Sequence, residues 1–384
     1  MSKDRKKRVM IYVQHLLGIG HLRRASFLAN ALAMHNFEVD LITGGMPVSG
    51  LSLHGINCHQ LPPVRSLDGQ FDQLVDEFGN LIDADWKQQR RNALLKIFDA
   101  LAPDALITET FPFGRRMMRF ELLPLLNAAR KHSSSPLVIS SIRDILQPKS
   151  KPGRDQEIHA LVDLYFDKIL VHGDERFASL DDTYSLANEI ADKTFYTGYI
   201  SEPIDGNQNQ AGNEHEVLVS GGGGAASLQL LKTAIDAKPR SKLNRHTWRL
   251  LVGQGIDADG FEQLQNTAGA GIIVERNRSD FQALLTQCAV SVSQSGYNTV
   301  CDVLRSGARA VMVPFSDADE VEQSLRANLL QRHDRVISLE QQALTAESLA
   351  TAVDRASEMP QQSIDMRMNG ANVSAGLLQE WLNV

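Results

Sequence analysis

Short apolar runs rich in β-branched residues alternate with longer segments of helical period from one end of this chain to the other. That alternation is the strongest constraint on its fold. A strand covered on both faces reads as a continuous apolar run, and parallel neighbours need a crossover long enough to hold a helix. Residues 9–14, 38–42, 105–108, 137–141 and 168–172 read as such strands in the first half, and residues 22–35, 84–102 and 113–132 as the main helices. In the second half the strands are 216–220, 247–252, 271–274, 290–293 and 309–313, with helices between them. The class is α/β with buried parallel sheets.

At 384 residues and 43% hydrophobic content the chain is long enough for two cores. Residues 201–215 are poor in apolar side chains and rich in Gly and Asn, which marks a linker. The expected division is a first domain over 1–200, a linker over 201–215 and a second domain over 216–384, with the last helix able to return to the first domain. Both halves follow one plan, so two Rossmann-like domains are expected to face one another and enclose a cleft at the carboxyl ends of their strands.

Bulk charge narrows the partners. A net charge of −7 argues against nucleic acid as the main partner. The basic run Lys3, Arg5, Lys6, Lys7 and Arg8 is read as a solvated lead-in to the first strand. No window approaches the roughly 18–20 apolar residues of a membrane span. Cys58, Cys288 and Cys301 read as reduced thiols, which suits a cytoplasmic protein with at most peripheral contact at the inner membrane face.

Three strand-to-helix junctions carry the chemistry. The first holds Gly18, Gly20 and His21, followed by Arg23 and Arg24. Glycines there let backbone N–H groups approach a ligand at a helix N-terminus. A dinucleotide fingerprint would require a third glycine where Arg23 stands, which excludes that class. His21 reads equally as a helix-capping or surface histidine and as a base or substrate anchor; Arg23 and Arg24 read as a solvated helix face, with a hold on an anionic acceptor as the alternative. The second junction is Ser220, Gly221, Gly222, Gly223 and Gly224, too costly in conformational entropy for an idle loop and suited to cradling phosphate. No Gly-Lys-Ser/Thr follows, so it is not a nucleoside triphosphatase loop.

The third junction runs from Ser293 through Gln294, Ser295, Gly296, Tyr297, Asn298 and Thr299 into a helix that carries Asp302. Small and hydroxyl residues at a helix N-terminus present N–H and O–H donors to a pyrophosphate. A carboxylate farther in accepts hydrogen bonds from both ribose hydroxyls.

In this segment the chain resembles the bacterial glycosyltransferases of the peptidoglycan N-acetylglucosaminyltransferase type, two-domain B-type folds that use UDP-sugars without a metal. Their donor helix has the form Ser-Gly-x-x-Thr-x-x-Glu, then a strand ending in Val-Pro-Phe, then a helix with Gln-Gln. Here stand Ser295, Gly296, Thr299 and Asp302, then Val313, Pro314 and Phe315, then Glu322 and Gln323. The departures are Asp302 for glutamate, Glu322 for glutamine, Gln294 where an arginine is frequent, and a longer loop before the last helix.

The resemblance implies that Ser295, Gly296 and Thr299 hold the phosphates with Ser220 to Gly224, Asp302 the ribose, and Glu322 with Gln323 the sugar hydroxyls. It further implies that the turn with Arg276 and Phe281 contacts the base, and that His21 lies in the acceptor-domain loop. No paired aspartate motif or His/Cys cluster stands in a loop that the cleft would use, so no metal and no cofactor is expected beyond the UDP-sugar co-substrate.

For the base, His21 stands first and Glu109 second, because Glu109 follows the strand 105–108 at its carboxyl end. Glu109 reads equally as a partner of Arg115 or Arg116. Asp144, beside Arg143, is weaker. The expected function is transfer of a hexose or N-acetylhexosamine to a hydroxyl acceptor that is a glycolipid, polysaccharide or small molecule. Nucleotide-sugar hydrolysis, UDP-sugar 2-epimerisation and nucleotide-sugar binding without turnover are the alternatives.

Overall fold

A computed structural model describes residues 5–16, 18–48, 50–51, 53–67, 70–147, 152–201, 215–221, 227–278, 280–315, 321–360 and 366–384. The chain forms two compact units, Met1–Ser201 with Arg367–Val384, and Glu202–Met366.

The first unit is built on β1 (Arg8–Val13), α1 (Gly20–Met34), β2 (Glu38–Thr43), β3 (Ile56–Gln60), the hairpin β4 (Arg65–Leu67) and β5 (Gln70–Val75), α2 (Ala84–Leu101), β6 (Ala105–Glu109), α3 (Arg119–Lys131), β7 (Leu137–Arg143), α4 (Arg154–Tyr165), β8 (Lys168–His172) and β9 (Thr194–Tyr196). Its sheet has the order β3-β2-β1-β6-β7-β8-β9, and every neighbouring pair is parallel. The order reverses between β1 and β6, so the loops after these two strands diverge and leave a crevice.

Alternate residues of β1 serve opposite faces, as the two-residue period of a strand demands. Met10 and Tyr12 pack with Leu94, Phe98 and Leu122 of α2 and α3. Val9, Ile11 and Val13 pack with Leu22, Leu28 and Leu32 of α1 and with Ala375 and Leu378. Each such fully buried side chain contributes roughly 1.5–3 kcal/mol.

The second unit runs β10 (Glu216–Ser220), α5 (Leu228–Ala237), β11 (Thr247–Val252), α6 (Ala258–Thr267), β12 (Ile272–Arg276), α7 (Phe281–Gln287), β13 (Val290–Ser293), α8 (Tyr297–Ser306), β14 (Ala310–Met312), α9 (Glu322–Arg332), β15 (Ile337–Ser338) and α10 (Ala346–Ser357). Its parallel sheet has the order β12-β11-β10-β13-β14-β15, with the reversal between β10 and β13. Val219, Trp248, Leu250 and Val292 form its core with Leu231 of α5 and Val353 of α10. Asp257 caps α6 by accepting from the Gly260 N–H at 2.8 Å.

The last helix, α11 (Gly370–Leu382), belongs to the first unit. It packs on α1, and Gln379 donates to the His35 carbonyl at 3.2 Å. The segment leading to it is fixed by backbone bonds from Tyr199 N–H to Arg367 O at 2.7 Å and from Gly370 N–H to Tyr199 O at 3.0 Å. Gly370 has to be glycine, because a Cβ there would stand 2.1 Å from the Gly198 carbonyl oxygen.

The helix expected over 113–132 starts later. Residues 110–115 form a loop with a cis Phe111–Pro112 bond and positive φ at Thr110 and Arg115, then a short 3-10 turn at Arg116–Met118 precedes α3. Pro112 and Gly114 in this stretch disfavour helix. Cys288 and Cys301 are buried free thiols and Cys58 is exposed. No helix among the described residues is long and apolar enough to cross a membrane.

Candidate active site

At the point of reversal in the first sheet, β6 ends on Glu109, which is 1% exposed. The turn into α1 brings His21 and Arg24 to it. The His21 Nδ1 lies 3.0 Å from Glu109 Oε1, Thr110 Oγ1 lies 3.1 Å from the same oxygen, and the Arg24 guanidinium is bonded to it as well. On the other oxygen, the Ser141 hydroxyl stands 2.8 Å from Oε2.

Burial is the largest influence on Glu109 and opposes its ionisation, yet Arg24 and His21 outweigh it and hold the carboxyl well below the usual carboxylate range. An ionised carboxylate only accepts, so His21 donates from Nδ1 and its Nε2 keeps a lone pair. Burial, followed by the charge of Arg115, pushes the His21 pKa well below 6.5, so the ring is neutral at pH 7.

Thr110 adopts φ +70 and Arg115 φ +56, a region that costs an L-residue roughly 1–3 kcal/mol and clusters where function constrains the backbone. The Arg115 Nε donates to the Gln14 carbonyl at 2.8 Å; burial, then Arg143, lowers its pKa to about 10.

Two expectations about charges change here. Arg24 is not part of a solvated face: it is 2% exposed and bound to Glu109, because α1 starts against the end of β6. Arg116 reaches Glu157 at 3.2 Å rather than Glu109. Asp144 is buried and accepts from the Tyr199 hydroxyl at 3.0 Å.

Around this edge lies a second buried set that sequence reasoning missed. Arg90 of α2 donates to Glu121 of α3 at 2.7 Å, to Gln14 Oε1 at 2.6 Å and to the Gly44 carbonyl at 2.8 Å, and also to the Pro62 carbonyl. The Tyr12 hydroxyl completes it on Glu121. A Cβ at Gly44 would stand 2.2 Å from the guanidinium, so glycine is required there. Ser141 and His172 were missed too. They lie on β7 and β8 near the carboxyl ends, and the strand-end rule that picked Glu109 would have found them.

In the second unit the corresponding reversal lies beside Ser220 and Gly221 and at the start of α8. Gly221 fits only as glycine, since a Cβ would lie 1.8 Å from Ser227 Cβ. Gly222, Gly223 and Gly224 lie outside the described residues. Gly296 precedes α8 with φ −63, and an added Cβ would meet nothing within 4 Å. Neither backbone nor packing among the described residues requires glycine at that helix N-terminus, whereas a ligand approaching the backbone would. Asn298 and Thr299 are half-buried in the first turn, beside Gln294 in the preceding loop.

The remaining residues of the expected donor site are partly engaged within the chain. The Ser295 hydroxyl donates to the Gln323 carbonyl at 2.8 Å rather than facing outward. Glu322 pairs with Arg326 at 3.0 Å, both buried, and Arg326 also donates to the Ser295 carbonyl at 3.2 Å. Gln323 Oε1 accepts from the Phe315 N–H at 3.1 Å. The Gln282 amide donates to Asp302, which is 6% exposed. Arg276 stacks 4.3 Å above the Phe261 ring and donates to the Ile256 carbonyl at 2.8 Å, so it braces the loop before α6. Phe281 opens α7, half-buried.

Two parallel sheets, each reversed in order between its first strand and the strand that returns beside it, make the architecture a B-type glycosyltransferase fold. The glycosyltransferase of kitacinnamycin shares it, with a TM-score of 0.67 over 98% of this chain and 100% of that one at 15% identity.

Residues 216–379 match the glycosyltransferase family 28 C-terminal domain, so this part of the chain is family 28-like. Two curated relatives agree, both UDP-N-acetylglucosamine--N-acetylmuramyl-(pentapeptide) pyrophosphoryl-undecaprenol N-acetylglucosamine transferases. That of Glaesserella parasuis serovar 5 is 34% identical over 103 residues, 27% of this chain and 28% of the relative. That of Cupriavidus metallidurans is 28% identical over 155 residues, 39% of this chain and 42% of the relative. The chain thus spans less than half the length of the curated relatives it matches.

Proposed function

We propose that this chain transfers a hexose or N-acetylhexosamine from a UDP-sugar to a hydroxyl acceptor, with inversion and without a metal, using His21 as general base. The observation that carries the proposal is the His21 to Glu109 contact of 3.0 Å at the carboxyl edge of the first sheet. The Nδ1 proton is committed to an anion, and Nε2 is free to take another.

In the transfer the acceptor O–H bond breaks and its proton passes to Nε2, while the oxygen bonds the anomeric carbon. The bond from that carbon to the β-phosphate oxygen breaks, and its electron pair leaves with UDP. Amide donors and the dipole at the start of α8 would receive the growing diphosphate charge. Glu109 supports the inverting reading: it is 1% exposed and engaged by donors on both oxygens, an anion that orients His21 rather than one presented to the sugar as a nucleophile.

The family 28 match over residues 216–379 and the UDP-N-acetylglucosamine donor in the relatives' names support the donor class. The same names carry a pyrophosphoryl-undecaprenol acceptor, so a glycolipid acceptor met from the water side is the form we favour. His21→Ala is expected to lower kcat by roughly 10²–10⁴-fold while calorimetric UDP affinity stays within twofold. Equal loss of both would remove His21 as the base. Thermal stabilisation by GDP- or dTDP-sugars alone would overturn the donor assignment.

A further inference from the structure

Behind Glu109 lies a polar chain that the proposed transfer does not use. Ser141, His172 and Thr197 are at most 1% exposed, and each lies within hydrogen-bond distance of the next. Ser141 Oγ is 2.8 Å from Glu109 Oε2 and 2.9 Å from His172 Nε2, and His172 Nδ1 is 2.9 Å from Thr197 Oγ1. The direction of these bonds is fixed at one end. Glu109 accepts only, so the single Ser141 proton points at Oε2. The Ser141 oxygen is then an acceptor, which requires His172 to carry its proton on Nε2.

Burial, followed by the charge of Arg24, pushes the His172 pKa down to about 3, so the ring holds one proton at any working pH. That proton is spent on Ser141. Thr197, at the far end, has both His172 Nδ1 and the Gly198 carbonyl, at 3.0 Å, in reach of its hydroxyl.

We propose that Ser141 and His172 are positioning residues that clamp the rear oxygen of Glu109, so that its front oxygen is held on the Nδ1 proton of His21 and Nε2 remains the proton acceptor. The proposal rests on the reading of His21 as base, and adds that the choice of tautomer is made two residues behind it. Without the Ser141 hydroxyl the rear oxygen is unheld and the carboxylate can rotate about its last bond, so His21 loses the fixed partner that selects Nδ1–H. The charged and titratable groups facing Glu109 and His21 are Arg24 from α1, Arg115 from the loop after β6, Arg143 from β7 and His172 from β8. Among them His172 is the group bonded to Ser141 on the side away from Glu109.

The test uses the full chain with ring-15N histidine, UDP-N-acetylglucosamine as donor, and UDP release in water or with an added hydroxyl compound as the activity readout. In the parent the NMR spectrum should show His21 as the Nδ1–H tautomer. Ser141→Ala should give a mixture of tautomers and a roughly 10- to 100-fold lower kcat, in the range a misplaced reacting group costs, with the donor KM within twofold. Ser141→Thr, which keeps the hydroxyl, should restore both; His172→Gln, which keeps a donor, should outperform His172→Leu.

Unchanged His21 tautomer in both Ser141→Ala and His172→Leu would overturn the proposal, whether these variants melt like the parent or at lower temperature. A tautomer shift in Ser141→Ala beside full activity in His21→Ala would leave the clamp standing and remove the base. The two failures are therefore distinguishable.

Discussion

Glu109 takes four donors on two oxygens, and what those donors are decides what His21 can do. Three of them, His21, Arg24 and Thr110, meet one oxygen; Ser141 holds the other. The sign of the resulting pH dependence can be worked out. The His21 pKa is pushed below 6.5, so the neutral base form is retained until the pH falls through that lowered value. The acidic limb of kcat/KM is expected to have its midpoint below pH 6.5, with no loss of activity between pH 8 and 6.5 from this group. A limb centred at or above 6.5 would mean that another group titrates.

In the sequence His21 and Glu109 stand as rivals for one role, because spacing shows that both end at a sheet edge but not that residues 88 apart share a proton. The internal engagement of Ser295 and Glu322 was equally invisible: it depends on Arg326, a helix residue with no motif of its own.

At the level of elements, the parallel strands were legible because the central ones are covered on both faces and carry unbroken apolar runs. The edge strand β3, with Asn57, Cys58, His59 and Gln60, lacks such a run and escaped notice. So did the hairpin β4–β5, β9 and the two-residue β15. What joins the elements was less legible still. Arg90 ties α2 and α3 to the segments around Gln14, Gly44 and Pro62, so one buried cation fixes the loop that leads to His21.

Removing one partner of a buried pair leaves an uncompensated charge and typically costs about 3–5 kcal/mol, whereas replacing both by apolar groups costs far less. Arg90→Met should therefore lower the denaturation free energy of the chain by that amount. The double variant Arg90→Met with Glu121→Met should recover part of it. Additive losses in the double-mutant cycle would show that the pair is not coupled.

On the scale of the whole molecule, the first unit is assembled from two stretches of sequence, with the second unit lying between them in the chain. Leu28 and Leu32 of α1 share a core with Ala375 and Leu378 of α11, and Trp381 stacks edge-on against Phe195 at 4.9 Å. A chain stopped after residue 366 should keep the second unit's unfolding transition and lose stability selectively in the first. The loss should reach several kcal/mol, given roughly 1.5–3 kcal/mol for each large apolar side chain left uncovered. Scanning calorimetry with separate hydrogen-exchange readings on β1 and β10 would check it; equal protection of β1 in both forms would argue that α11 is dispensable.

The seating of Gly370 against Gly198 has one more consequence, in time rather than in space. During synthesis the first unit is begun first and finished last, since the helix that closes over α1 leaves the ribosome only after the whole second unit has been made. Until then the side chains of α1 that meet α11, Leu28 and Leu32 among them, lack that part of their cover. A growing chain of this design therefore presents a sticky half-built domain to the chaperones that wait at the tunnel exit.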